Sequence, residues 1–250
     1  MRLPVAVIAS IAPTLAYANG GVDWSFPEAV EKHTRLQDIT FGFNMLRSPH
    51  ASGFYFAQQF KFYGFDDVAY TGIQPRPDDA EGRHIVHAVF SSFIKGTTTT
   101  SPLCKPGANG GPGVSCAIDF VGNYTHGYEC VVTRGFPKGK DDGRTWQGYI
   151  VDAVTGESRE MGEWTLPGIT SGIEPHQLGF VDYYEFNGGP RPLDCSTLPK
   201  VGVSFFAPTS GTKRAGPGIL ENFTDYGDCE SESNFSATEI PNGVHISIGF

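Results

Sequence analysis

The chain has 250 residues, 39% of them hydrophobic, 18% charged and 13% aromatic, with 32 Gly, 18 Pro and a formal charge of −9. That Gly and Pro content stops short of low complexity, and 19 Phe with 10 Tyr carry too much ring surface for a disordered chain or a long coiled coil. The acidic balance works against gripping phosphate backbones or anionic lipid, so neither nucleic acid nor a membrane surface is an expected partner.

In chain order, residues 1–18 read as a secretory signal. Arg2 precedes an apolar run from Leu3 to Leu15, and Ala16-Tyr17-Ala18 is a small-x-small cleavage site. The run is too short, and too interrupted by Pro4 and Pro13, to span a bilayer. The expected product is a secreted, extracellular, monomeric protein made of one domain over 19–250. A short helix is expected at 26–35, capped by Ser25 with Pro27 in its first turn.

Period two dominates the rest. Phe54, Phe56, Gln58, Phe60 and Phe62 fall on one face of a strand and Tyr55, Ala57, Gln59, Lys61 and Tyr63 on the other. At the C-terminus Val244, Ile246, Ile248 and Phe250 alternate with His245, Ser247 and Gly249 in the same way. Further strands are expected at 34–43, 67–74, 84–93, 115–121, 127–134, 145–152, 158–165, 179–186 and 200–207. Hairpin turns are expected at Lys140-Asp141-Asp142-Gly143 and Val154-Thr155-Gly156-Glu157. Many short strands and little helix predict an all-β fold: an antiparallel β-sandwich, jelly-roll or lectin-like, stapled by disulfides. Gly96–Gly113 and Thr209–Ser236 are the long irregular stretches.

The five cysteines, Cys104, Cys116, Cys130, Cys195 and Cys229, contain no C-x-x-C spacing, which leaves a zinc site little support and favours two disulfides with one thiol over. A local pair among the first three and Cys195 with Cys229 is the favoured arrangement. Sequons at Asn123, Asn222 and Asn234 mark candidate glycosylation sites.

The candidate ligand-binding residues are Gln74, His87, Trp146, Tyr149, Tyr184 and Glu185, which would put amide, aromatic and carboxylate groups on a sheet groove. His84 and His87, three apart on a strand, face opposite ways and cannot easily share a metal. Trp146 and Tyr149 are likewise split by parity, and Trp146 reads as core before it reads as a sugar platform. Asp182, Tyr184 and Phe186 share one face of their strand, Tyr183 and Glu185 the other. Two acidic loops, Pro77–Gly82 and Asp225–Glu232, fall short of a calcium-loop pattern, so no metal and no cofactor are expected. No G-x-S-x-G occurs, and catalytic residues stay unassigned.

Tyr70-Thr71-Gly72-Ile73-Gln74, Phe90-Ser91-Ser92-Phe93, Gly113-Val114-Ser115-Cys116, Trp146-Gln147-Gly148-Tyr149, Met161-Gly162-Glu163-Trp164 and Phe180–Phe186 occur in an order that resembles a family of uncharacterised secreted β-rich domains of actinobacteria and fungi, sometimes found near carbohydrate-active modules. The resemblance covers about residues 20–207 and implies a secreted β-sandwich, with no established catalytic residues. The chain departs from that pattern at Asn109–Gly113, where no acid precedes Ser115-Cys116.

The expected function is extracellular binding of glycans or cell-wall polysaccharide through a groove on one sheet. One alternative is a polysaccharide lyase or glycoside hydrolase on the same scaffold, for which Arg134, Lys138, Lys140 and Arg144 would supply a cationic rim. The other is a secreted effector or toxin-like protein acting on a host partner.

Overall fold

The computed structural model describes residues 18–136, 142–188 and 193–250. Residues 1–17 of the expected signal, Lys138, and the first half of the expected Lys140–Gly143 turn lie outside these. The chain runs β1 (Ala18–Ser25), α1 (Pro27–Glu31), β2 (Asp38–Arg47), β3 (Phe54–Lys61), β4 (Val68–Pro75), β5 (Ile85–Ser92), β6 (Cys104–Ala108), β7 (Gly111–Val121) and β8 (Tyr128–Arg134). It continues with β9 (Thr145–Asp152), β10 (Ser158–Thr165), β11 (His176–Tyr183), β12 (Val201–Thr209), β13 (Ile219–Thr224), β14 (Ser236–Ile240) and β15 (Gly243–Ile248).

Two antiparallel sheets form a sandwich. One has the order β13-β1-β11-β3-β4-β5-β7-β6, the other β10-β9-β8-β2-β12-β15-β14. Alternation decides which side of each strand meets the other sheet. On β3, Phe54, Phe56 and Phe60 point inward and are at most 1% exposed. Trp24, Phe41, Phe62, Phe90, Trp146 and Trp164 join them in one buried cluster. The rings interlock edge-on and stacked, with Trp24–Phe41 at 5.2 Å and Phe90–Trp164 at 4.5 Å between centroids.

The outward faces of β3, β4 and β11 carry a smaller cluster: Ala57 and Phe180, with Tyr55, Tyr70, Leu178 and Tyr226 packed on them. Gly72 lies in this face at the closest approach of β3 and β4. A Cβ there would fall 2.0 Å from the Phe56 carbonyl oxygen, so only glycine permits the strand pairing. The outer face of the eight-stranded sheet is thereby partly apolar, and it holds the site described below.

Three sequence expectations are corrected. The helix is only five residues long, because Ser25 ends β1 instead of capping, Phe26 offers no side-chain cap, and His33 turns left-handed at φ 51°. Phe250 lies beyond β15 and is 60% exposed, held by its N–H donating to the Leu198 carbonyl. The strand expected over 179–186 ends at Tyr183 and gives way to a 3₁₀ turn, Tyr184–Gly188.

The disulfides are Cys104–Cys116, across the β6–β7 pair, and Cys195–Cys229. Cys130, a disulfide candidate from sequence, is the thiol left over, buried in the core, where desolvation pushes it up to about 12. Cys195–Cys229 spans 34 residues, which by loop-closure entropy stabilises the fold by about 4 kcal/mol. Replacing both cysteines by Ser is expected to lower the urea midpoint accordingly, with Cys104–Cys116, spanning 12 residues, costing less.

Candidate functional site

The outer face of the eight-stranded sheet sinks into a groove of about 650 Å³. Strand register explains its membership. Asp182 on β11 is opposite Tyr55 on β3, Tyr70 on β4 is opposite Ser91 on β5, Gln74 is opposite His87, and His87 is opposite Asp119 on β7. Residues directly opposite on paired strands share a face, so all these side chains project the same way. Arg76, Phe93, Tyr184 and Asn187 complete the walls.

At one end stands a buried carboxyl. Asp182 is 4% exposed, and the Asn187 side-chain amide donates to its Oδ2 at 3.1 Å, while Oδ1 has no hydrogen-bond partner among the described residues. Desolvation raises its pKa to about 6, against the opposing pull of the Asn187 bond. Tyrosines surround it. Burial first, and the Asp182 charge second, push the Tyr70 hydroxyl up to about 12 and move Tyr226 in the same direction. The buried Tyr55 hydroxyl is raised well above its ordinary value, mainly by burial. Tyr226 reaches this position because residue 21 is glycine; a Cβ there would fall 2.8 Å from its ring.

The middle and far end are more open. Tyr184 accepts from the Gly53 N–H at 2.8 Å and from Arg76 Nη1 at 3.0 Å, which pins the 3₁₀ turn to the rim. His87 Nδ1 lies 2.8 Å from Asp119 Oδ1. Burial, then the Arg76 charge, lowers the His87 pKa, with Asp119 pulling the other way, so the neutral imidazole is favoured. Ser91 contacts Ser115 at 2.8 Å, but it is four residues along β5 from His87, about 13 Å by strand rise. A Ser-His-Asp arrangement is therefore not assembled.

Of the residues picked from sequence, Gln74, His87 and Tyr184 line the groove. Trp146, Tyr149 and Glu185 do not. Trp146 is 0% exposed between the sheets, Tyr149 belongs to the second sheet opposite Glu160, and Glu185 is exposed on the 3₁₀ turn after the strand has ended. Arg134, part of the expected cationic rim, is buried against Trp146, its guanidinium 5.1 Å from the ring centroid. Sequence reasoning placed Asp182 and Tyr184 on one face but did not select Asp182, although a lone acid inside Gly-Phe-Val-Asp-Tyr-Tyr is the available signal. In each acidic loop one carboxylate is held by its own loop. Asp79 accepts from the Glu81 and Arg83 N–H groups and from the Arg83 side chain, and Asp225 accepts from the Ser231 N–H. The three sequon asparagines are exposed.

No protein-family model matches the sequence and no curated protein is similar to it, so neither comparison supports the family resemblance drawn from the motifs. Among solved structures, the chain is similar to scytalido-glutamic peptidase with a transition-state analogue inhibitor (10% identity, TM-score 0.43) and with a peptide-based transition-state analogue (10%, 0.44). A third is SCP-B, an eqolisin-family peptidase in complex with the tripeptide Ala-Ile-His (9%, 0.42). Each match covers 93% of this chain and 98% of the other. The proteins named are peptidases, whereas the sequence led to glycan binding, with polysaccharide cleavage or a host-directed effector as alternatives; those readings are corrected here. The physical ground is that the glycan platform never forms, because Trp146 is core and Tyr149 lies on the other sheet. No glutamate lines the groove; its carboxyls are Asp182 and, beside His87, Asp119.

Proposed function

We propose that the protein is a secreted hydrolase working in the acid range, with the groove as its active site and an extended polypeptide as its substrate class. The observation that carries the reading is the buried Asp182 carboxyl, one oxygen of which accepts from the exposed Asn187 side-chain amide while the other has no hydrogen-bond partner among the described residues. In this reading the Asp182 carboxylate takes a proton from an attacking water and returns it to the leaving nitrogen. The Asn187 amide and the neighbouring tyrosine hydroxyls are the donors available to the oxyanion that develops on the cleaved carbonyl. A pKa of about 6 matches that double duty, since both protonation states are populated in mildly acidic solution.

The groove's lining suits a chain of amides bearing apolar side chains. Gln74, Ser91 and Ser115 offer hydrogen bonds, and Tyr55, Tyr70 and Phe93 offer ring surface. The test is incubation of the purified protein with acid-denatured protein substrates from pH 3 to 8, with mass spectrometry of the products. New peptide termini are expected, with kcat changing through the Asp182 titration near pH 6. Intact substrate at every pH would overturn the proposal.

A further inference from the structure

Near one end of the groove, two loops bring together side chains that the strand pattern kept apart. His50 lies in the connection between β2 and β3, and Asp78 and His84 lie in the connection between β4 and β5. His50 Nδ1 is 2.8 Å from Asp78 Oδ1, and the His50 and His84 rings are 4.1 Å apart at their centroids, crossed at 67°. One ligand atom from each of the three lies within 4.8 Å of the other two, the one such group of His, Cys, Asp or Glu found among the described residues.

The cluster has a fixed back wall. The Tyr124 ring lies 4.5 Å from His50 and 5.7 Å from His84. Its hydroxyl donates to the Ile85 carbonyl at 2.8 Å and accepts from the Arg76 N–H at 3.0 Å, so the ring is anchored to both ends of the loop that carries Asp78 and His84. His50 and Asp78 remain about one-third exposed, open to an entering ion.

We propose that His50, Asp78 and His84 form a binding site for a divalent transition cation of the zinc class. Two imidazoles and one carboxylate make a borderline donor set that such ions prefer, and three protein ligands leave a coordination position for water. Ligand atoms around a tetrahedral ion, each about 2.0–2.2 Å from it, sit roughly 3.4 Å apart, so a spread of 4.8 Å closes by side-chain rotation on surface loops. Calcium and magnesium fit poorly, because both favour oxygen ligands and two of the three donors here are imidazole nitrogens. Bound metal would tie the two loops together beside Arg76, a groove-lining residue two positions from Asp78. The site stands on its own geometry and does not depend on the groove being catalytic.

The test is calorimetric titration of the full, tag-free, EDTA-stripped protein with ZnCl₂ at pH 7.5, with Co²⁺ absorption as a spectroscopic readout. One equivalent is expected to bind with a Kd of about 10 μM or tighter, and CaCl₂ and MgCl₂ are expected to give no heat. A His50→Ala/His84→Ala variant should weaken binding by about 100-fold, with unchanged circular dichroism and an unchanged Tm in EDTA. Zinc binding weaker than about 100 μM would overturn the site, as would a double variant that binds as tightly as the parent.

Discussion

Asp182→Asn is expected to lower hydrolysis by about 10²–10⁴-fold while leaving substrate affinity nearly unchanged, the pattern of a group that acts on a proton and not on binding. Asn is the informative replacement because it keeps the shape and still accepts from Asn187, but it cannot exchange a proton. The same variant carries a second signature independent of any substrate. Because the folded-state pKa of Asp182 is raised from 3.8 to about 6, its neutral form is favoured in the fold. The stabilising contribution is therefore complete below about pH 4 and is lost as pH rises through about 6. That shift corresponds to about 3 kcal/mol. Urea unfolding of the parent should show this loss between pH 4 and 7. The Asn variant should lack it, matching the parent in acid and exceeding it at neutral pH. If the parent and Asp182→Asn shared one stability profile across that window, Asp182 would not be the desolvated acid described here.

Most of the sandwich was legible because its inner strands obey one rule. Wherever one face meets the other sheet, as at Phe54–Phe60 or Val244–Ile248, the side-chain period of two appears directly in the residues. Four strands were missed from sequence: β1 does alternate, with Val22 and Trp24 buried, but it begins at the last residue read as a signal, whereas the other three give the rule little to act on. β6 is an edge strand carrying Pro106 and Gly107 and bulged at both, β14 is almost wholly exposed, and β13 is broken by the left-handed Asn222. The site was half legible for a related reason. Parity correctly separated Trp146 from Tyr149, whereas Tyr184 joins Asp182 in the groove from a 3₁₀ turn where parity no longer applies, and parity cannot tell the outer face of a sheet from the inner one when both carry rings. The Tyr55, Tyr70 and Phe180 cluster makes the outer face look like core, which hid the groove. Parity also rules on neighbours along one strand only. It set His84 against His87 and had no means of finding His50, which reaches His84 from another loop.

Trp146, read from sequence as core ahead of sugar platform, is the residue at which a measurement separates those two roles most widely. A sugar platform on the surface can be cut to Ala with little effect on folding. As found, the ring is fully buried, 4.7 Å from the Phe62 ring and under the Arg134 guanidinium, so Trp146→Ala should leave a large cavity between the sheets. The expected cost is about 3–5 kcal/mol, a large share of the roughly 5–15 kcal/mol that holds a typical domain folded. It should appear as a lower urea midpoint at an unchanged slope. Trp146→Phe should cost much less than that. The indole N–H of Trp146 is buried without a hydrogen-bond partner among the described residues, so Phe removes an unsatisfied donor as well as part of the ring, and the two effects oppose each other. A Trp146→Ala variant as stable as the parent would place the ring outside the core. A Phe variant as damaged as the Ala variant would mean that the indole N–H is satisfied after all.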